Sequence, residues 1–111
     1  MSNRFKFRIY SFLEKSFYYF SIGDGETGYP QGIAGGVSEP QQYTGLNDKN
    51  GKEVYEGDII RGMFDFGPAG FKEEILPVNW HNKKGYQWEY WELTTIEVIG
   101  NVFKHKELLN Y

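Results

Sequence analysis

The fold of this chain is decided by residues 42–60, which read QYTGLNDKNGKEVYEGDII. The pair Asn50-Gly51 is the preferred centre of a type I′ hairpin turn, because both residues tolerate a positive φ. The segments on either side of this pair are predicted as the two strands of the hairpin. Gly57 and Asp58 are predicted as a tight corner that leads into a third strand. The stretch therefore predicts short strands joined by tight turns.

The composition of the chain indicates a single β-rich domain. Of its 111 residues, 40% are hydrophobic and 19% are aromatic, and it contains 14 Gly and four Pro. A helical bundle is disfavoured, because Gly costs about 1 kcal/mol per interior helical position relative to Ala. Disorder is excluded by the aromatic content and by a net charge of only −3.

Two strands are predicted before the deciding stretch. Residues 4–10 alternate polar and apolar side chains, which would place Arg8 on a polar face, and residues 17–22 form a second, aromatic strand. Residues 1–22 are thus predicted as an N-terminal β-hairpin. Residues 23–39 hold six of the 14 Gly and are predicted as a long loop.

The remaining predicted elements follow the deciding stretch. They are a strand at 59–64, a hairpin with strands at 74–80 and 86–93, a final strand at 96–103, and one or two helical turns within 104–110. Several short strands at close spacing are typical of a small barrel or roll. We therefore predict one mainly β domain over residues 1–111.

The compartment is predicted from what the sequence lacks. The absence of Cys excludes a disulfide framework and a thiolate metal site. The longest apolar run, residues 17–20, is far shorter than the roughly 20 residues that cross a membrane, and no signal-peptide core is present. We expect a soluble intracellular protein with no membrane partner.

No motif predicts a catalytic, cofactor or metal site. Residues 23–28 match G-x-G-x-x-G, but Tyr29 and Pro30 follow where a dinucleotide site needs a helix. The two histidines, His81 and His105, do not have zinc-ligand spacing. We therefore assign no catalytic residue, no cofactor and no metal ligand.

An acidic cluster leaves one enzymatic alternative open. Glu53, Glu56 and Asp58 lie close in sequence, and paired carboxylates can perform acid–base chemistry when burial separates their pKa values. This pattern would support a carboxylate-dependent hydrolase. An acidic surface turn is the commoner outcome, and we expect a protein that is not an enzyme.

A tryptophan-rich segment is the candidate binding surface. If residues 86–93 form a strand, alternate aromatic side chains share one face. They could fill the core, contact a protein or, beside two lysines, stack on nucleic-acid bases. The candidate residues are Trp80, Lys83, Lys84, Tyr86, Trp88, Tyr90 and Trp91.

Three segments of the chain resemble the YopX family of small bacteriophage and prophage proteins. Residues 42–60 resemble the family's signature, residues 5–10 are similar to its first strand, and residues 96–103 with Glu107-Leu108-Leu109 resemble its closing motif. The chain departs from the family pattern at Lys106, where the family usually has Pro, and at Tyr10, where it often has Trp. Residues 62–93 lie outside the resemblance.

The resemblance implies an SH3-like β-barrel over residues 41–111, with the N-terminal hairpin packed on it and a short C-terminal helical turn. It implies structural roles, as turns and corners, for Gly45, Asn50, Gly51, Gly57, Asp58 and Gly100. It brings no catalytic residue. Val54, Ile59, Val98 and Ile99 are expected in the core.

The function that these observations favour is that of a non-enzymatic phage or prophage accessory protein, located in the cytoplasm of the bacterial host. We expect it to bind a protein partner or to form a homo-oligomer. The alternative is nucleic-acid binding, which would use the tryptophan-rich segment together with Arg4, Lys6, Arg8, Lys83 and Lys84.

Overall fold

The computed structural model describes residues 5–22, 28–80, 85–86 and 88–109. Its strands are β1 (Lys6–Ser11), β2 (Ser16–Ser21), β3 (Gln41–Asn47), β4 (Glu53–Tyr55), β5 (Asp58–Asp65), β6 (Phe71–Pro77) and β7 (Glu97–Asn101). In these ranges the helical segments are 3₁₀ turns, at Gly67–Ala69, Trp88–Tyr90, Leu93–Thr95 and Lys106–Leu109, and none is an α-helix. The mainly β class and the short C-terminal turn are confirmed.

The strands form two antiparallel sheets, one of them a curled half-barrel. The first has the order β2-β1-β3-β4 and the second β6-β5-β7. β1 and β2 pair without interruption from Lys6↔Ser21 to Ser11↔Ser16, which confirms the N-terminal hairpin. Because β1 also pairs with β3, this hairpin belongs to the same sheet as the first half of the deciding stretch.

The four-stranded sheet curls so that aromatic side chains of its two edge strands come into contact. Tyr19 of β2 and Tyr55 of β4 lie on opposite edge strands, and their ring centroids are 5.5 Å apart. Arg8 of β1 lies beneath them and is only 4% exposed. The face predicted to be polar is therefore buried, because the curl turns it inward.

The predicted hairpin of residues 74–80 and 86–93 is wrong. β6 pairs with β5 along its whole length, since the short turn at residues 67–70 brings those two strands together. The later segment lies instead along the other edge of β5, where Glu92 N–H donates to Met63 C=O (2.9 Å). Met63 N–H in turn donates to Thr95 Oγ1 (2.9 Å). The aromatic residues of this later segment thus lie in and beside 3₁₀ turns rather than in a strand.

The type I′ turn predicted at Asn50-Gly51 is also wrong. Gly51 takes a positive φ (82°), but Asn50 does not. Gly51 N–H donates to Asp48 C=O (2.9 Å), and Asp48 N–H donates to Lys52 C=O (2.8 Å). This is the pattern of a three-residue hairpin loop closed by a glycine bulge. The Asp48 side chain favours this loop, since its Oδ1 accepts the N–H groups of Asn50 and Lys52 (both 2.9 Å).

Gly100 was expected to form a corner, but it does not. It lies within β7 and its φ is not positive. A Cβ there would lie 2.7 Å from Nδ1 of His105. Gly100 is therefore needed for close packing of the His105 ring, and Nδ1 of that ring accepts the Asn101 N–H (3.1 Å). Gly45 does take a positive φ (88°), but inside β3, where the β3–β4 register shifts.

The core is formed by residues of both sheets and of the segments that join them. Its central cluster is Val54, Ile60, Val78 and Ile96, with Leu46, Tyr86, Trp88, Trp91 and Val98 packed against it. Val54 and Ile59 are fully buried, as expected, whereas Val98 and Ile99 are half-buried. A second group forms around Tyr10, whose ring stacks on Phe103 at 4.5 Å.

Candidate functional site

The corner at Gly57 and Asp58 is where the two sheets meet. Gly57 is buried with a φ of 83°, a value that favours glycine. Its N–H donates to Val78 C=O and its C=O accepts from Val102 N–H (both 2.9 Å). Val78 N–H donates to Asp58 C=O (2.8 Å). The corner therefore holds the segments that follow β6 and β7 against the start of β5.

A buried ion pair stabilises this corner. Nη2 of Arg8 lies 2.8 Å from Oδ1 of Asp58, and the two residues are 4% and 2% exposed. The second carboxylate oxygen of Asp58 accepts Tyr55 N–H (2.8 Å). Burial raises the pKa of Asp58 above its ordinary value, while Arg8 and the Tyr55 N–H act in the opposite direction. The pair joins β1 to β5, and hence one sheet to the other.

Two nitrogens of the guanidinium make further hydrogen bonds. Nε of Arg8 donates to Oε1 of Gln41 (2.8 Å), and Nη2 also donates to Glu56 C=O (3.2 Å). The guanidinium lies 4.0 Å from the ring centroid of Phe17 and 4.9 Å from that of Tyr55. A buried charge with partners on every side is a structural element.

The nucleic-acid alternative would use the basic residues of the first strand, but Lys6 and Arg8 are not available on the surface. Arg8 is buried, and Lys6 forms an ion pair with Glu53. Arg4 lies outside the described residues. The charges of Lys6 and Arg8 are therefore both paired with carboxylates of the chain itself.

The three carboxylates of the acidic cluster do not converge. Asp58 is engaged by Arg8, and Glu53 by Lys6 and by the Tyr55 hydroxyl (3.2 Å). Glu56 Oε1 accepts Gln42 N–H (2.8 Å), and its Oε2 accepts the Tyr86 hydroxyl (3.1 Å). Although the three residues are close in sequence, the backbone turns between them, so their side chains point in different directions.

Asp48 is a structural residue that the sequence analysis missed. It is 7% exposed, and its Oδ2 accepts Val98 N–H (3.0 Å) while Oδ1 holds the β3–β4 loop. Burial alone would raise the pKa of Asp48, but the three backbone N–H donors outweigh burial and lower it. Its place before Lys49-Asn50-Gly51 was the available signal, because Asp favours the first position of a turn.

A groove of about 640 Å³ opens beside the corner. One rim carries Phe12, at the tip of the N-terminal hairpin, and the other carries Trp80, after β6; they are 49% and 53% exposed. Among the described lining residues the charged ones are Glu39 and Glu56. The full lining is Phe12, Ser38, Glu39, Pro40, Gln41, Glu56, Gly57, Val78, Asn79, Trp80, Val102 and Phe103.

The residues of the predicted binding surface separate into two groups. Trp80 is exposed at the groove, and its ring contacts Tyr86 edge-on at 5.0 Å. Trp88 and Trp91 are half-buried, line a second cavity of about 340 Å³ and pack against the core cluster. Tyr90 stacks on Phe64 at 5.9 Å. Lys83 and Lys84 lie outside the described residues.

The metal-ligand, glycine-rich and membrane-span features considered in the sequence do not form a site among the described residues. Across the described ranges, no three His, Asp or Glu side chains are arranged as metal ligands. His81 and most of the glycine-rich motif at 23–28 lie outside those ranges. No helix in the described part of the chain has the length and apolar character to cross a membrane.

Comparison with known proteins assigns the chain to a family. The curated proteins include no match to it. The family model described as YopX protein matches residues 6–110, which include both sheets and the corner between them. The resemblance of the three motif segments is thereby confirmed, and the chain belongs to the YopX family.

Proposed function

We propose that this chain is a non-enzymatic accessory protein of a phage or prophage that acts in the bacterial cytoplasm by binding a protein partner or its own copies. The observation that carries the proposal is the groove with exposed Phe12 and Trp80 on its rims. Aromatic residues are enriched in protein interfaces, where they supply large contact areas.

The environment of the groove supports recognition rather than catalysis. Asp58 is occupied by the buried ion pair, and both oxygens of Glu56 already accept hydrogen bonds. A hydrolase based on this cluster would need carboxylates that share one substrate position. Their separate partners give that alternative little support.

The finer fold assignment belongs to the same proposal. We infer an SH3-like arrangement for residues 41–111, supported by the family signature and the corner at Gly57. Domains of this shape present loops and grooves at the ends of their strands, but fold alone does not specify a function.

Nucleic-acid binding is the weaker alternative. Lys6 and Arg8 are paired within the chain, which leaves Arg4, Lys83 and Lys84, all outside the described residues, as its cations. A gel shift at low salt separates the two: absence of a shift at about 10 μM protein would exclude ordinary non-specific binding.

The proposal is tested by photo-crosslinking in the bacterial host. A photoreactive phenylalanine analogue would replace Trp80, and the matched control would carry it at exposed Lys72 on β6. We expect a discrete crosslinked product only from position 80, containing either another protein or a second copy. Equal, diffuse crosslinking from both positions would overturn the proposal.

A further inference from the structure

The outer strand of the four-stranded sheet is β2, and no strand within the described residues pairs with its outer side. β2 is the first strand in the order β2-β1-β3-β4, and it pairs with β1 in one unbroken register. Its sequence, SFYYFS, contains no charge and no Pro. Natural edge strands are usually protected by Lys, Pro, bulges or a covering segment. β2 has none of the first three.

The direction of its backbone groups follows from one hydrogen bond. Ile22 N–H donates to Phe5 C=O (3.0 Å), so residues 16, 18 and 20 face β1 in the antiparallel alternation. Phe17 and Tyr19 therefore direct their N–H and C=O groups away from β1. No residue in the described part of the chain hydrogen-bonds these four groups.

Apolar side chains surround this edge. Tyr19 is 56% exposed and Ile22 is 54% exposed, next to an apolar cavity of about 390 Å³ that includes Phe20 and Tyr29. An open row of backbone groups beside exposed apolar surface is the arrangement that accepts an additional strand.

We propose that two copies of this chain pair through β2, antiparallel, with Tyr18 opposite Tyr18 of the second copy. This deepens the self-association branch of the proposed function and rests on it. The register places Phe17 opposite Tyr19 of the second copy, twice, so the N–H and C=O groups of Phe17 in each chain bond the C=O and N–H groups of Tyr19 in the other. A strand paired with itself in this way has two-fold symmetry, which closes the assembly as a dimer.

The side chains support a second copy as the occupant. In this register the three central cross-strand pairs are aromatic–aromatic, a favourable combination. No charged residue of β2 opposes a like charge, since Glu14 and Lys15 precede the paired segment. The strand is thus complementary to itself in backbone and side chains.

Cysteine crosslinking tests the register, because the chain has no native Cys. Directly opposite residues in the Tyr18 pair would have Cα atoms about 4.5 Å apart, within disulfide reach. We expect Tyr18→Cys to form a covalent dimer under mild oxidation. Tyr19→Cys, offset by two positions, and Leu13→Cys, exposed in the hairpin turn, serve as controls and should remain largely monomeric on a non-reducing gel.

Charge substitution tests the interface itself. Tyr18→Lys places two ammonium groups opposite each other and should weaken dimerisation about tenfold or more in light scattering. Mixing Tyr18→Lys with Tyr18→Glu should restore the dimer, which also shows that both variants fold. Lys72→Ala, at an exposed position on β6 outside both β2 and the groove, should dimerise like the parent chain.

The outcomes separate this inference from the proposed function. A parent chain that is monomeric at high micromolar concentration overturns the β2 dimer, and discrete crosslinks from position 80 to another protein would still support protein binding. A dimer that Tyr18→Lys leaves intact overturns the β2 interface but keeps self-association. Crosslinking by Tyr19→Cys instead of Tyr18→Cys overturns the register.

Discussion

The corner at Asp58 and the edge at β2 both involve the curled sheet, yet they differ in whether their polar groups are paired. At the corner, Arg8 and Asp58 are buried with a partner for each group. At the edge, Phe17 and Tyr19 leave backbone groups unpaired within the described residues. The corner is therefore expected to serve stability, whereas the edge is where we propose that a second copy pairs. Substitutions at the corner should therefore affect unfolding, and substitutions along the outer edge of β2 should affect association.

The largest expected effect is that of Asp58→Ala. It leaves the Arg8 charge buried without its partner, which typically costs about 3–5 kcal/mol. We expect the urea midpoint to fall sharply or the chain to unfold. Lys6→Met, which removes the more exposed ion pair with Glu53, is the matched control and should cost about 0–1 kcal/mol. Equal losses from the two variants would contradict the structural role of the corner.

The next effect separates backbone strain from packing. Gly51 and Gly57 have nearly equal φ values, 82° and 83°, but a Cβ at Gly51 meets no atom within 4 Å, whereas one at Gly57 would lie 2.0 Å from Nε2 of Gln41. Gly51→Ala should cost about 1–2 kcal/mol. Gly57→Ala should cost more, by about 1–3 kcal/mol, if displaced Gln41 leaves Nε of Arg8 unpaired. Denaturant unfolding of both variants measures the difference, and equal costs would show that Gln41 moves freely.

Asp48→Asn should destabilise the chain by about 1–3 kcal/mol at neutral pH, because an amide presents a donor to one of three backbone N–H groups. The pKa of Asp48 is lowered in the folded state. The unfolded chain thus binds the proton first, and the stability that Asp48 contributes is present above about pH 4 and lost as the pH falls further.

The pH dependence gives this prediction a separate readout. The stability difference between the parent chain and Asp48→Asn should shrink between pH 7 and pH 3. Burial raises the pKa of Asp58, a shift of the opposite sign, but Asp58 is common to both chains and cancels in the difference. A constant difference across this range would mean that the carboxylate charge is not what stabilises the loop.

The smallest expected effect on stability is that of Trp80→Ala. The side chain is 53% exposed at the groove, and surface substitutions usually change stability by no more than about 0.5 kcal/mol. Thermal unfolding should therefore be almost unchanged. A large drop in stability would place Trp80 in the core and weaken the proposed function.

A prediction from the sequence was mostly correct where the interacting residues are close together in the chain, and it failed where they are far apart. The N-terminal hairpin, the corner at Gly57 and the C-terminal turn are local, and turn chemistry and strand patterning predicted them. The hairpin at residues 74–93 failed because β5 offered two edges, and its neighbours were decided by competition between segments. The strand pattern of aromatic residues is the same whether a segment pairs with β6 or lies along β5.

The candidate site was predicted only in part. Trp80 does lie exposed at a groove, but Phe12 and Glu39, which line the same groove, are distant in sequence and carried no signal. Arg8 was expected on a polar face. Alternation assigns residues to opposite faces of a strand, but it does not say which face a curled sheet encloses.

The local sequence was sufficient for the β class, the family and the tight turns at Gly51 and Gly57, because these depend on neighbouring residues and on the backbone freedom of Gly. The tertiary structure alone decided that Arg8 meets Asp58 from a distant strand, that Asp48 ties the β3–β4 loop to Val98, and that β2 remains at the edge of its sheet. These features arise when the sheet curls and two sheets share one corner. They join residues far apart along the chain, and only packing brings such residues together.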